Sequence, residues 1–193
     1  MRYLIFAAWL LISTNCIYAQ EQGSDLSAND IIGNAENPEL ALADSYYENG
    51  EWELAVDSYE RAKRGGGFTS VDLNRYAIAL IELDRYESAQ RLLENLTRIF
   101  PDDKTAWFNL GIVQYHFDRY PSALNCFQTA AGIVPDWAQA WYSIAFCELL
   151  MDRPSEAWKT LDIVIALDEE LGQRLLEILV ADEAYRNDPA EEE

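Results

Sequence analysis

The sequence predicts an all-α fold, a solenoid of four helix-turn-helix units closed by a C-terminal capping helix. Three observations carry this. Ala55, Ala89, Ala123 and Ala157 stand 34 residues apart, and twelve residues before each sits another small residue, Ala43, Ala77, Gly111 and Ala145. Bulky apolar residues keep the same beat: Tyr59, Leu93, Phe127 and Leu161 follow the alanines by four, and Ala62, Leu96, Ala130 and Val164 come three later. Between these markers the apolar positions follow helical spacing, as in Ala123, Leu124, Phe127 and Ala130, which share one face. A period of roughly 20–50 residues marks stacked units, each of which buries its apolar face only against its neighbours. Two helices in close contact need a small side chain where they approach, and Ala or Gly supplies it.

The elements follow in order. Residues 1–19 read as a secretory signal: a basic Arg2, an apolar run from Tyr3 to Ile12, and a polar stretch leading to Ile17-Tyr18-Ala19, with cleavage expected after Ala19. The run is too short to span a bilayer, which takes about 20 residues. Lipid attachment at Cys16 is the rival, opposed by Asn15 where lipoprotein signals carry a small residue. Either reading exports the protein to the periplasm or outside the cell. Residues 20–35 are polar, with Leu26, Ile31 and Ile32 as apolar anchors, and read as a flexible arm.

Four units are expected at 36–69, 70–103, 104–137 and 138–171. Asn37-Pro38, Ser70, Asp103 and Asp136 stand where first helices begin, where a side-chain oxygen satisfies free backbone N–H groups. Pro121 and Pro154 fall in the first turn of second helices, where a missing N–H costs nothing. Gly65-Gly66-Gly67 ends the first unit where Pro101 and Pro135 end the next two, which predicts a looser first junction. The capping helix is expected at 170–186, with Leu171, Leu175, Ile178 and Leu179 as its stripe and Leu176 and Val180 off it. Residues 187–193 read as a disordered acidic tail.

The third unit carries Trp107, Leu110-Gly111, Tyr120, Ala123, Phe127, Ala130 and Pro135, and this succession resembles the tetratricopeptide repeat (TPR) family. The resemblance covers 36–171 and implies a right-handed superhelix whose first helices line a concave, polypeptide-binding surface. Carried onto this chain, the family's ligand-facing positions include Tyr47, Asn74, Ile78, Ile81, Phe108, Ile112, Tyr115, His116, Tyr142, Phe146 and Leu149. Aromatic and aliphatic residues at helical spacing suit a protein or peptide with an apolar or amphipathic segment. An exposed apolar groove is the leading expectation, since contiguous exposed apolar patches are rare without a purpose, and packing against neighbouring units is the alternative. The family's clamp for acidic C-terminal peptides is missing, since Leu40 and Asp44 occupy its first positions. The resulting expectation is a non-catalytic scaffold or adaptor; the alternative is a self-assembling structural subunit, and so a homo-oligomer.

Composition narrows the partners. The net charge of -20 repels phosphate backbones and anionic membranes, which excludes nucleic acid; such a surface attracts basic partners or divalent cations, though a surplus of carboxylates more often serves solubility alone. One histidine, His116, has no nucleophile or carboxylate at a spacing that suggests a triad, and there is no HExxH or CxxC motif. No enzymatic activity, cofactor or metal is expected. Cys126 and Cys147 read as small buried apolar residues rather than a bridge, and Asn95-Leu96-Thr97 as a chance glycosylation triplet inside a helix. Trp137, Trp141 and Tyr142 cluster as a sugar platform would, but Trp141 occupies the repeat's own core position.

Overall fold

The computed structural model describes residues 37–63 and 66–187. The expected signal and arm, and the tail beyond Asn187, lie outside the described residues. Four helix pairs follow one another: α1 Pro38–Glu48 with α2 Trp52–Ala62, α3 Ser70–Glu82 with α4 Tyr86–Ile99, α5 Lys104–His116 with α6 Tyr120–Ile133, and α7 Ala138–Leu150 with α8 Pro154–Leu167. A last helix, α9 Glu169–Arg186, packs on α8 and α7. The described residues contain no strand, so the chain is an all-α solenoid.

The core forms where the small residues stand. Ala43, Ala55, Ala77, Ala89, Ala123, Ala145 and Ala157 are all fully buried. At Gly111 the approach is tight: a Cβ there would lie 2.6 Å from Cε1 of Phe127, inside any real contact. Units two and four carry Ala77 with Leu93 and Ala145 with Leu161 at the matching positions, so the third unit combines a smaller residue on one helix with a larger one on the other.

Three residues link the helices of every pair, and the middle one has positive φ: Gly50 (72°), Asp84 (56°), Asp118 (56°) and Asp152 (61°). At each link two backbone bonds close the first helix, as in Asp118 N to Tyr115 O (3.0 Å) and Arg119 N to Gln114 O (3.0 Å). This is a Schellman closure, which requires a left-handed residue just past the helix end. Glycine adopts that conformation freely, and aspartate tolerates it because its short side chain bonds locally. Asp84 and Asp118 do bond locally, accepting from the hydroxyls of Tyr86 and Tyr120. Asp152 has Pro154 in place of that tyrosine and accepts instead from Arg186 at the end of α9. The closing helix is thereby fastened to the turn of unit four.

First-helix starts depart from expectation at two places. Asn37 and Asp103 are N-caps, with Asp103 accepting from the amides of Thr105 and Ala106 (3.0 Å each). At α3 the cap is Thr69 rather than Ser70, because Thr69 forms a reciprocal box with Asp72 three residues on. At α7 the cap position is Trp137 rather than Asp136 and makes no side-chain bond. Its ring instead packs on Phe108 (4.6 Å between centroids) beneath the Lys104 ammonium (5.2 Å), so packing and not capping sets this start.

Junctions between units use repeated locks. The indole N–H of Trp107 donates to Pro101 O and that of Trp141 to Pro135 O, both at 2.8 Å. Asn74 of α3 donates to Asp103 (2.8 Å) and accepts from Asn109 of α5 (3.4 Å). The first junction has no Pro–Trp lock. There Arg75 pairs with Asp44 (2.9 Å), Tyr59 donates to Asp44 (2.8 Å), and Tyr76 donates to Glu60, whose carboxyl is held below its ordinary pKa mainly by that bond. Gly172 admits α9 onto α8, since a Cβ there would lie 2.8 Å from the Ile165 Cα.

Two measurements check these assignments. In urea unfolding, Asp118→Val costs about 1–2 kcal/mol more than Asp118→Asn, because a β-branched residue resists the left-handed region; equal costs would remove the turn argument. Gly111→Ala lowers stability by about 1 kcal/mol, overpacking outweighing better helix propensity. Made in a Phe127→Leu background, the same change becomes stabilising; a double-mutant cycle without coupling would refute the clash.

Candidate functional site: the concave face

The first helices α1, α3, α5 and α7 carry all eleven residues expected to line a groove. Nine of them are buried within the chain itself: Tyr47, Asn74, Ile78, Ile81, Phe108, Ile112, Tyr142, Phe146 and Leu149. Phe108 is 1% exposed and Phe146 2%. Each has an intrachain occupation. Phe108 lies between Phe127 (5.2 Å) and Trp137 (4.6 Å), Phe146 stacks on Tyr142 (6.3 Å) and meets Tyr115 (6.0 Å), Tyr47 meets Trp52 (5.5 Å), and Asn74 belongs to the Asp103 lock. The exposed apolar floor anticipated from the sequence is therefore filled by its own side chains, and packing within and between units buries these nine.

Two of the eleven remain accessible. Tyr115 is half-buried against Tyr120 and Phe146, and burial raises its hydroxyl pKa. His116 is exposed at the end of α5, with its ring stacked on Tyr86 at 3.4 Å and 15°. Burial of that ring lowers its pKa, against the opposing pull of Asp84, Asp118 and Glu87. His116 belongs to a strip in register: Glu48, Glu82 and His116 are exposed and Leu150 half-buried, each 34 residues from the next. Burial first, and Asp84 second, raise the Glu82 pKa. Along the opposite margin Val71, Thr105 and Gln139 are half-buried, also in register. The first helices thus carry accessible residues toward both ends around a buried middle.

Other candidates resolve into structure. Trp137 and Trp141 are held by Phe108 and Pro135, and Tyr142 is buried, so the aromatic cluster is packing. Cys126 and Cys147 are free buried thiols, and burial pushes the Cys126 thiol up to about 11. Asn95 sits within α4 and donates to Arg91 O, while Thr97 is buried. Among the described residues no group of three His, Cys, Asp or Glu side chains could hold a metal ion, and no helix is long and apolar enough to cross a membrane. Sequence reasoning passed over the turn residues Gly50, Asp84, Asp118 and Asp152. Their own 34-residue spacing, followed each time by Glu or Arg, was the available signal.

Comparison with known proteins agrees with this architecture. Two tetratricopeptide repeat family models match, over residues 75–138 and 39–64. Among solved structures, YrrB, described as a TPR protein with an unusual peptide-binding site, is 20% identical with a TM-score of 0.66, covering 72% of this chain and 73% of its own. MamA from Desulfovibrio magneticus RS-1, from residue 41 to the end, is 17% identical with a TM-score of 0.64, covering 69% and 75%. A double mutant of MamA RS-1 is 15% identical with a TM-score of 0.65, covering 81% and 98%. No curated protein matches the chain. At these identities the structures speak to the fold alone. With its 34-residue period, its stacked helix pairs and these repeat matches, the chain belongs to the tetratricopeptide repeat family.

Proposed function

We propose that this protein is a non-catalytic adaptor, exported from the cytoplasm, that holds a polypeptide segment along the margins of its concave face. TPR folds support protein–protein interaction scaffolds, and YrrB is described as having a peptide-binding site. The observation that carries the reading here is the in-register strip of Glu48, Glu82, His116 and Leu150 beside Tyr115, presented at one point in each of four stacked units. A segment lying across it meets an acidic half and an aromatic–aliphatic half, which suits an amphipathic ligand. Aromatic side chains contribute strongly to such contacts because they bury much area at low entropic cost. Export rests on the apolar run and the Ile17-Tyr18-Ala19 stretch of the sequence.

A second reading, self-assembly, is favoured by Val180 (51% exposed) and Tyr185 (48% exposed) on α9. Sedimentation of the purified mature chain separates the two: the adaptor is monomeric alone, whereas the assembly subunit is oligomeric and becomes monomeric in Val180→Glu.

The adaptor reading is tested by crosslinked affinity purification from the native envelope fraction with the parent chain and a Tyr115→Ser, His116→Ser variant. The parent is expected to recover a foreign polypeptide and the variant to lose it by about tenfold, the equivalent of roughly 1.4 kcal/mol. Equal recovery by both, or recovery of the chain alone, overturns the reading. Placing the lesion matters: Phe108→Asp sets a carboxylate in the core and is expected to cost at least about 4 kcal/mol in urea unfolding. The Tyr115 and His116 changes are expected to keep the fold, each costing less than about 2 kcal/mol because neither residue is fully buried.

A further inference from the structure

The edge that carries the loops between units repeats a pattern that neither the packing nor the concave face uses. Ile99 is 56% exposed, Phe100 42% and Leu167 39%, and Ile133 is half-buried. Ile99, Ile133 and Leu167 are the last residues of α4, α6 and α8, and they stand 34 residues apart. Three residues beyond each stands an exposed carboxylate, Asp102, Asp136 and Glu170. At these three rungs the chain leaves its helix in a similar way, after which Asp102 and Asp136 lie in turns and Glu170 in the first turn of α9. Val134 and Asp168, which follow α6 and α8, are extended, Phe100 after α4 has φ -122° and ψ 76°, and each amide bonds the same carbonyl of the last turn: Phe100 N to Leu96 O (2.8 Å), Val134 N to Ala130 O (3.0 Å) and Asp168 N to Val164 O (2.8 Å). The Pro101 and Pro135 carbonyls are held by Trp107 and Trp141, and Asp168 caps α9. The rungs are therefore set before any ligand arrives, which lowers the entropic cost of binding.

We propose that this loop edge of units two to four is a second docking surface, for a polypeptide that alternates aliphatic with basic side chains. Charge decides the occupant. A second copy carries the same net charge of -20 and would set carboxylate against carboxylate. The chain's own segment 20–35 holds Glu21, Asp25 and Asp30 and no Lys or Arg, so it meets the same repulsion. Nucleic acid and anionic lipid are repelled likewise. A basic, partly aliphatic segment covers the exposed Ile99, Phe100 and Leu167 and pairs with Asp102, Asp136 and Glu170; the last is shared only with Arg174 in an exposed pair that a ligand can displace. Apolar side chains repeated in register, exposed at Ile99 and Leu167 and half-buried at Ile133, are unusual on a surface that serves solubility alone.

The test uses the mature chain and labelled synthetic peptides of about 18 residues, roughly 27 Å as a helix: one of Leu and Lys in amphipathic order, one of Leu and Glu, and one of Ser and Lys. Binding is read by fluorescence anisotropy at about 0.15 M salt, where exposed charges are screened beyond roughly 8 Å. The Leu–Lys peptide is expected to bind the parent at least about tenfold tighter than either other peptide. It is expected to weaken by about tenfold or more on Ile99→Ser, Leu167→Ser and on Asp102→Asn, Asp136→Asn, Glu170→Gln. All of these positions are at the surface, and thermal melts verify that the fold survives. A control, Glu51→Gln, Glu53→Gln, Asp57→Asn, removes equal charge at exposed positions of neither surface and is expected to change binding less than about twofold. An equal loss on the control, equal binding of the Ser–Lys peptide, or no binding of the Leu–Lys peptide overturns the proposal. Because the Tyr115 and His116 variant is measured beside these, failure here and failure of the concave-face reading are told apart.

Discussion

The close approach of two helices within each unit is the constraint on which the rest of this structure depends. It asks for a small residue on each helix at one level, and the chain supplies Ala43 with Ala55, Ala77 with Ala89, Gly111 with Ala123 and Ala145 with Ala157. Once these backbones are close, the bulky residue four positions on, such as Leu93 or Phe127, is carried into the core, and the apolar face that remains requires a neighbouring unit. The solenoid follows from repeating one contact, and α9 follows because the last unit also has a face to cover. Gly172 on α9 reproduces the same solution where that helix meets Ile165.

The turns keep the repeat from drifting. A three-residue link with one left-handed residue sets the angle at which each second helix returns, and it does so identically in four places. Aspartate at three of these positions adds what glycine lacks, a carboxylate that holds the following tyrosine or, in unit four, Arg186 of the closing helix. Local backbone geometry and long-range closure are thereby joined in one residue. Such agreement between local preference and global packing is what singles out one fold among compact alternatives.

Packing also limits where function can lie. The aromatic residues of the first helices form so much of the inter-unit core that the middle of the concave face is spent on stability. The residues left accessible stand at helix ends: Tyr115, His116 and Glu82 on one side, and the loop edge of Ile99, Ile133 and Leu167 on another. Helix ends and loops are where a rigid scaffold commonly presents recognition groups.

How much was legible divides along the same line. Period, helix pairing and the small-residue contact could be read from the chain, because they rest on local spacing that any 34-residue repeat must keep. Asn37 and Asp103 could be read as caps for the same reason. Thr69 in place of Ser70, and Trp137 in place of Asp136, could not, since the first depends on a reciprocal bond with Asp72 and the second on a ring drawn to Phe108. The division between groove and core among the eleven first-helix residues was closed to the sequence altogether. Helical periodicity states which side chains share a face, and only the stacking of one unit on the next decides whether that face meets water or another side chain.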